Sequence, residues 1–252
     1  MGETIVFTSG KGGVGKTTTI ANIGVGLSQL DKKVVMLDTD MGLRNLDVVM
    51  GLEDQINYNL LDLLENRCRL KQALIRDRRF PNLYMIPASL KSIPLDKYEK
   101  AFEALLEHLK KEFDYCLIDC PAGIDKGFHF AISVADRAII VTTPHISAIK
   151  DASRVLHLLN GTKIQKIELI INEYDERSVR KKYMLSKQDI EELFEIPILG
   201  TISHDMKVMI SQNKGIPVLM MRSKATKQFK NLSEQMIINM SLEGDAYIYD
   251  IS

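Results

Sequence analysis

The chain lacks the features that mark several classes of protein. It has 252 residues, no tryptophan and only three cysteines, and its 33 basic and 33 acidic side chains leave no net charge. So few cysteines exclude a disulfide scaffold and favour a reducing, cytoplasmic compartment. No apolar run approaches the roughly 20 residues that a bilayer span needs, and the first residues show no signal-peptide pattern. A globally basic nucleic-acid-binding protein is also disfavoured.

What the sequence contains is an alternation of short apolar runs and longer segments with helical periodicity. The runs are apolar almost throughout, which is typical of strands buried on both faces of a parallel sheet. We therefore predict an α/β fold with a doubly wound, mostly parallel sheet flanked by helices. Residues 1–240 are expected to form one domain and residues 241–252 an acidic tail. The predicted strands are Ile5–Thr8, Lys33–Leu37, Leu83–Pro87, Tyr115–Ile118, Arg137–Thr142, Ile167–Ile171 and Ile198–Thr201, and the predicted helices are Lys16–Leu30, Asp96–Lys111, Ala148–Leu159, Ser186–Phe194 and Lys224–Met240.

A phosphate-binding signature follows the first predicted strand. Gly10, Gly15, Lys16 and Thr17 satisfy G-x-x-x-x-G-K-[ST] between a predicted strand and a predicted helix. Glycines let backbone N–H groups surround phosphate oxygens, and the helix directs its positive end at the same anion. We expect Lys16 to reach the β- and γ-phosphates and Thr17 to ligate Mg²⁺. The predicted loop for ATP or ADP comprises Gly10, Lys11, Gly12, Gly13, Val14, Gly15, Lys16, Thr17 and Thr18.

Lys11 is a second lysine inside this loop. One nucleotide on one subunit does not need it. A lysine that enters a neighbouring subunit's site would act like an arginine finger, which contributes roughly 10³–10⁵ in rate. The alternative is a solvent-facing loop lysine, and the residue alone does not separate the two.

Carboxylates follow two further predicted strands. Asp38 and Asp40 come after Lys33–Leu37, and Asp119 comes after Tyr115–Ile118. Because ligands bind beyond the carboxyl ends of strands in open α/β sheets, these side chains are expected to complete the site. We predict that Asp119 holds Mg²⁺ through water and that Asp38 supports the Mg²⁺ shell. We predict that Asp40 orients the attacking water, and Asp40 is also a further candidate Mg²⁺ ligand. Each could instead be a helix cap or a turn residue.

These motifs together resemble the ParA/MinD family of deviant Walker A ATPases over about residues 2–240. Lys11 matches the signature lysine of that family, and the chain is identified as a P-loop NTPase of the deviant Walker A type. Four further stretches resemble the family: 37–47 (LDTDMGLRNLD), 119–123 (DCPAG), 148–154 (AIKDASR) and 213–218 (NKGIPV). The first of these resembles the division-site MinD branch of the family in particular.

The resemblance implies a cycle that the residues alone do not show. Members form an ATP-dependent homodimer in which the residue matching Lys11 contacts the partner's phosphates. The dimer binds an inhibitor of division-ring assembly, and a topological-factor protein stimulates ATP hydrolysis. Asn45 and Asp151 fall in regions implied in dimer or partner contact. By matching position, catalytic roles go to Lys11, Lys16, Thr17, Asp40 and Asp119.

Membrane attachment belongs to this implied cycle, at the inner face of the cell membrane. Members usually end in a basic amphipathic helix that docks on anionic lipid, whereas residues 241–252 hold three acidic residues and no lysine or arginine. An anionic leaflet repels such a segment, so the sequence leaves membrane attachment open. The preceding apolar helix face is predicted to pack in the core: Phe229, Leu232, Met236, Ile237 and Met240.

The base that the site reads has two interpretations. Asn172 closes the strand Ile167–Ile171, and the resemblance makes it an adenine contact. Residues 172–175 (NEYD) also have the spacing of the guanine-reading N-K-x-D motif, but Glu173 stands in place of its lysine. We therefore favour ATP, with the backbone of residues 202–205 lining the base pocket.

Two other functions remain open from the sequence. A DNA-partition ATPase would bind DNA in a salt-sensitive way through the basic residues of 177–182 and 222–230. The simpler interpretation of 177–182 is a solvated loop, and we expect no binding of a specific nucleic acid. A nucleotide-dependent adaptor would show little turnover. Cys116 and Cys120 are predicted to be buried thiols, because no second Cys/His pair completes a zinc site.

Overall fold

A mostly parallel β-sheet forms the centre of the computed structural model, which describes residues 1–91, 93 and 95–246. Its strands are β1 (Glu3–Thr8), β2 (Val34–Asp38), β3 (Ile75–Arg76), β4 (Leu83–Ile86), β5 (Tyr115–Asp119), β6 (Arg137–Thr142), β7 (Lys166–Tyr174) and β8 (Ile198–Ser203). Within the described residues they lie in the order β3-β4-β2-β5-β1-β6-β7-β8. Every neighbouring pair is parallel except β3 and β4.

Helices cover both faces of this sheet. They are α1 (Lys16–Gln29), α2 (Leu46–Met50), α3 (Leu60–Leu64), α4 (Leu70–Ala73), α5 (Glu99–Glu112), α6 (Lys126–Ile132), α7 (Ile146–Leu159), α8 (Glu176–Arg180), α9 (Lys187–Phe194), α10 (Met206–Asn213) and α11 (Lys224–Ala246). Successive strand residues face opposite sides. In β5, Cys116 and Ile118 pack in the core beneath α5, α6 and α7, while Tyr115 and Leu117 pack in the core beneath α1 and α11. The predicted doubly wound fold is confirmed.

All seven predicted strands are present, with ends within three residues of the prediction. No sequence signal pointed to β3, a two-residue antiparallel edge strand, or to six short helices, α2, α3, α4, α6, α8 and α10, which have four to eight residues each. Segments of this length show little helical periodicity, although the eight-residue α9 was predicted, as Ser186–Phe194. The prediction of a loop over residues 177–182 was wrong for residues 177–180, which lie in α8 (Glu176–Arg180). The Asp175 carboxylate accepts hydrogen bonds from the N–H groups of Arg177 and Ser178 and so caps this helix.

Helix α11 packs its apolar stripe into the core, as predicted. Phe229, Leu232 and Met236 are buried, and Ile237 packs against the same core. The side chain of Met240 lies outside the described residues, as do residues 247–252 of the predicted tail. The described part of the helix extends to Ala246, six residues beyond the predicted end at Met240. Among the described helices, none combines the length and the apolar character that crossing a bilayer requires.

Candidate nucleotide-binding site

The sheet topology brings the predicted phosphate loop and the predicted carboxylates to one edge. Strand β5 lies between β1 and β2, and all three run parallel. Asp119 is in register with Phe7 on one side and with Asp38 on the other. The loops that follow these strands therefore meet above their carboxyl ends, where ligands bind in open α/β sheets.

The phosphate loop adopts a backbone that requires glycine at selected positions. Gly13 and Gly15 have φ values of 79° and 90°, which side chains disfavour. Gly10 lies against helix α7, since a Cβ there would lie 2.3 Å from the Asp151 carbonyl oxygen. Helix α1 then begins at Lys16, so its N-terminal N–H groups face the loop. This is the arrangement that binds phosphate through backbone donors and the helix dipole.

Lys16 and Asp119 form a buried ion pair at the base of the loop. The Lys16 ammonium donates a hydrogen bond to Asp119 Oδ1, and both side chains are almost fully buried. Burial favours a lower pKa for the Lys16 ammonium, but the charge and hydrogen bond of Asp119 outweigh burial and hold the pKa above its usual range. Lys16 is therefore cationic at neutral pH, as a phosphate ligand must be.

Asp38 organises the loop that follows β2. Its Oδ1 accepts the Asp40 N–H at 2.9 Å, and its Oδ2 accepts the N–H groups of Asn45 and Leu46 at 3.2 Å each. Burial and the neighbouring charge of Asp119 raise the pKa of Asp38 to about 7. The carboxylate thus has the cap role that the sequence left open, at the start of α2. Asp40 is partly exposed, and its burial raises the pKa above the ordinary value.

Thr39 is a site residue that the sequence analysis missed. Its hydroxyl and its N–H both donate to the backbone carbonyl of Asp119, at 2.8 and 3.0 Å. The loop after β2 is thereby joined to the carboxyl end of β5. Its place between Asp38, a candidate Mg²⁺ ligand, and Asp40, a candidate catalytic residue, was the only signal in the sequence.

The donor groups at this edge fit a Mg²⁺ ion that also binds phosphate. Among the residues that the structure describes, no group of three or more His, Cys, Asp or Glu could hold a metal unaided. Mg²⁺ usually takes one or two carboxylates and completes its shell with water and phosphate oxygens. Asp119 Oδ2 is buried and has no hydrogen-bond partner in the described structure. That oxygen and the partly exposed Thr17, in the first turn of α1, suit such a shell.

A cavity of about 260 Å³ lies beside the phosphate loop. Asn172 lines it, and the Asn172 amide donates to the Val14 carbonyl at 2.9 Å, so this side chain contacts the loop directly. Across the cavity, helix α10 reaches the start of α1, where Gln212 donates to the Thr18 hydroxyl. No sequence signal pointed to Gln212. The other residues that line the cavity are Gly13, Gly15, Glu173, Ser203, His204, Asp205, Met206, Val208 and Met209.

The structure does not assemble a guanine-reading motif at this cavity. Glu173 has a left-handed backbone with φ 55°. The Asp175 carboxylate caps α8 and also accepts the Ser178 hydroxyl hydrogen at 2.7 Å. A motif aspartate would have to face the base, so the hydrogen bonds of Asp175 favour the adenine interpretation.

The remaining predicted residues have simple surroundings. Lys11 is exposed on the phosphate loop, and its ammonium has no ion pair with the residues that the structure describes. Asp151 forms a 3.2 Å ion pair with Arg154 on α7, beside Gly10. Cys116 and Cys120 are buried free thiols as predicted, and burial raises the pKa of each to about 12.

Comparison with known proteins identifies a family model and curated relatives that match most of the chain. A family model described as an AAA domain matches residues 2–173. Septum site-determining protein MinD of Synechocystis sp. is 48% identical over 220 residues, which are 87% of this chain and 83% of that protein. MinD of Bacillus subtilis is 43% identical over 240 residues, 94% of this chain and 90% of that protein.

Solved structures agree with these relatives. The MinC:MinD cell division complex of Aquifex aeolicus matches with a TM-score of 0.85 and 41% identity, over 93% of this chain and 95% of that chain. MinD of Pyrococcus horikoshii, complexed with Mg-ADP, matches with a TM-score of 0.83 and 30% identity, over 94% and 96% of the two chains. With the phosphate loop and its neighbouring carboxylates at one sheet edge, these matches show that the chain belongs to the MinD family of septum site-determining ATPases.

Proposed function

We propose that the chain is a dimerisation switch in division-site placement, which forms a homodimer with ATP and is reset by hydrolysis to ADP and phosphate. The observation that carries this proposal is the contrast between its two loop lysines. Lys16 is buried against Asp119, whereas Lys11 is exposed on the same loop. An exposed lysine at a phosphate loop is free to reach the phosphates bound by a second subunit.

The proposed chemistry assigns each residue a limited task. Loop N–H groups and the start of α1 bind the phosphates, and Lys16 balances the charge on the β- and γ-phosphates. Thr17, Asp38 and Asp119 would hold Mg²⁺, with Asp40 a further candidate. The bound ion would neutralise charge on the phosphate oxygens. Asp40, whose raised pKa reflects burial, orients the attacking water.

The decisive experiment removes the Lys11 ammonium. We expect wild-type protein to sediment as a dimer with Mg·ATP and as a monomer with Mg·ADP. Lys11→Ala should bind ATP but remain monomeric and inactive. Lys163→Ala is the matched control, because Lys163 is an exposed lysine in the loop between α7 and β7. A monomeric Lys11→Ala protein with full activity would refute the dimer model.

A nucleotide-dependent adaptor with little turnover is distinguished by Asp40. In an ATPase, Asp40→Ala should abolish phosphate release while the ATP-bound dimer persists. In an adaptor, the same substitution should leave an already negligible turnover unchanged. Phosphate release and sedimentation, measured on the same samples, separate the two.

ATP is the proposed nucleotide, with Asn172 at the base. Asn172 borders the cavity that Ser203, His204 and Asp205 also line, which supports the expectation that residues 202–205 surround the base. Competition between ATP and GTP for a fluorescent ADP analogue would test this assignment. Equal affinity for GTP would contradict it.

A division-inhibitor protein is the proposed partner of the ATP-bound dimer, and a topological-factor protein is proposed to stimulate hydrolysis. The inhibitor is supported by the MinC:MinD complex among the matched structures.

The protein is proposed to be cytoplasmic, and ATP-dependent attachment at the membrane's inner face is tested with anionic liposomes. Pelleting with ATP but not with ADP would demonstrate peripheral attachment, and failure to pellet despite a normal dimer would indicate a switch that acts away from lipid.

DNA partition is the second candidate function, and one contact favours it. Glu176 and Lys224 form an ion pair of 3.2 Å, so the basic residues of 177–182 and 222–230 neighbour each other. Nonspecific DNA binding through this surface would weaken steeply as salt is raised. A fluorescence anisotropy titration with duplex DNA at 50 and 200 mM salt distinguishes the two candidate functions. A partition ATPase would raise the anisotropy more at 50 mM than at 200 mM salt, whereas a division-site switch that does not bind DNA would leave the anisotropy unchanged at both salt concentrations.

A further inference from the structure

Arg79, in the loop between β3 and β4, joins two helices that belong to opposite sides of the nucleotide site. Its Nε and one terminal nitrogen bond the two oxygens of Asp77, at 2.9 and 2.6 Å. Asp77 is buried, so this paired contact fixes the plane of the guanidinium. The terminal nitrogens then donate to two backbone carbonyls, those of Met50 and of Gly215, the latter at 3.3 Å.

Both carbonyls lie at the C-terminal ends of helices. Met50 is the last residue of α2, and Gly215 follows α10 by two residues. A cation at such ends satisfies carbonyl groups and complements the helix dipoles. The two ends also touch directly: a Cβ on Gly51 would lie 2.3 Å from the Gly215 carbonyl oxygen. Gly51 and Gly215 both have positive φ, 62° and 59°, so this contact has no room for other residues.

The two joined helices reach different parts of the site. Helix α2 begins at Leu46, whose N–H is bound by Asp38 beside Lys16 and Asp119. Helix α10 lines the cavity proposed for the base, and its Gln212 contacts Thr18. A displacement of the loop around Asp38 would therefore reach the base cavity through α2, the Arg79 contacts and α10.

We propose that Arg79 is a positioning residue that couples the phosphate side of the nucleotide site to its base side. With Arg79 in place, the phosphate-bound arrangement of the Asp38 loop holds α10 where it contacts the base. Without it, the phosphate groups still bind at the loop, but the base contributes less to affinity. This inference rests on the proposed function, namely that the cavity beside Asn172 accepts the base of ATP.

The test compares a ligand that has a base with one that has none. Affinities of full-length protein for Mg·ATP and for magnesium triphosphate are measured by calorimetry. We expect Arg79→Gln to weaken ATP binding about tenfold, a typical coupling between sites, and to change triphosphate binding by less than about twofold. Arg79→Lys should recover part of the loss, because an ammonium can reach a carbonyl but cannot form the paired contact with Asp77. Arg78→Gln, an exposed neighbour on the same loop, is the control.

The outcomes separate this inference from the function beneath it. If wild-type protein binds triphosphate as tightly as ATP, the proposed base cavity is wrong and the coupling fails with it. If wild-type protein prefers ATP but Arg79→Gln retains that preference, only the role of Arg79 is overturned. An equal loss for both ligands also overturns it, because general loosening of the fold would weaken both. Thermal unfolding of each variant checks that the proteins compared are folded.

Discussion

Thr39 makes two hydrogen bonds to a single backbone oxygen, that of Asp119: its hydroxyl donates at 2.8 Å and its N–H at 3.0 Å. The two segments joined in this way each carry a candidate catalytic carboxylate, Asp40 in the loop after β2 and Asp119 at the end of β5. The position of Asp40 relative to Asp119 is therefore fixed by a buried contact as well as by the sheet.

Replacing the Thr39 hydroxyl tests whether this contact matters for hydrolysis. Thr39→Val keeps the shape but removes one hydrogen bond, so we expect a loss of about 1 kcal/mol in the free energy of unfolding. We expect kcat for ATP to fall several-fold while KM changes little, because Thr39 holds the loops and is not assigned to the phosphates. Thr39→Ser retains the hydroxyl and is the matched control; kcat as low in Thr39→Ser as in Thr39→Val would contradict the prediction.

The Lys16–Asp119 pair gives a prediction about stability. Lys16→Met leaves the Asp119 carboxylate buried without its partner, which costs on the order of 3–5 kcal/mol. Adding Asp119→Asn removes that charge, so the double variant should regain most of the stability while remaining inactive. Denaturant unfolding measures both. A double variant as unstable as Lys16→Met would mean that the lysine side chain stabilises the fold by packing. The control is Lys163→Met, which replaces an exposed lysine in the same way.

Much of the fold could be predicted because its signals are local. Buried parallel strands appear as apolar runs, and the phosphate loop has a fixed spacing between one such strand and a helix. Asp38 and Asp119 followed from a topological rule about strand ends. By contrast, β3 has two residues, and its antiparallel pairing to β4 depends on tertiary context.

The missed parts of the site depend on distant backbone groups. Thr39 bonds a carbonyl 80 positions away, and Gln212 bonds a hydroxyl 194 positions away. Arg79 acts on the ends of two helices, and α2 is too short to be seen in the sequence. No pattern of side chains encodes such contacts, because their acceptors are brought together only by the packed fold.

Glu3 gives a pH dependence away from the site. Its carboxylate is largely buried, and its Oε2 is 3.8 Å from Arg137, too far for a hydrogen bond. Burial is the largest influence and raises the pKa of Glu3 above its ordinary value of 4.5. The folded state therefore binds this proton more tightly than the unfolded state, and the stability that it contributes is lost as pH rises through the folded-state pKa.

Glu3→Gln should remove this loss. We expect the variant to gain stability over wild type as pH rises from about 4.5 through the raised pKa of Glu3, with a slope of at most about 1.4 kcal/mol per pH unit, and to gain no more above that pKa. Urea unfolding at several pH values measures the difference. Glu103→Gln, which changes an exposed glutamate on α5, should show no such trend. A difference that shrinks with rising pH would mean that attraction to Arg137 dominates over burial.

The two loop glycines Gly12 and Gly15 offer a matched pair for the last prediction. Gly15 has φ 90°, and a Cβ there would lie 2.1 Å from the Asn172 amide nitrogen, whereas a Cβ on Gly12 meets nothing within 4 Å. Gly15→Ala should destabilise the fold by about 1–3 kcal/mol and displace Asn172 from its bond to Val14. Gly12→Ala should stay within about 0.5 kcal/mol of wild type.

Combining Gly15→Ala with Asn172→Ala separates the two causes of that loss. The second substitution relieves the collision but leaves the unfavourable φ at residue 15. In chemical denaturation, adding Gly15→Ala to Asn172→Ala should therefore lower the free energy of unfolding by less than adding Gly15→Ala to the wild-type protein. Full recovery would assign the whole cost to the collision, and no recovery would assign it to the backbone. Asn172 also borders the proposed base cavity. We therefore expect Gly15→Ala to weaken the binding of ATP more than it weakens the binding of triphosphate, which has no base.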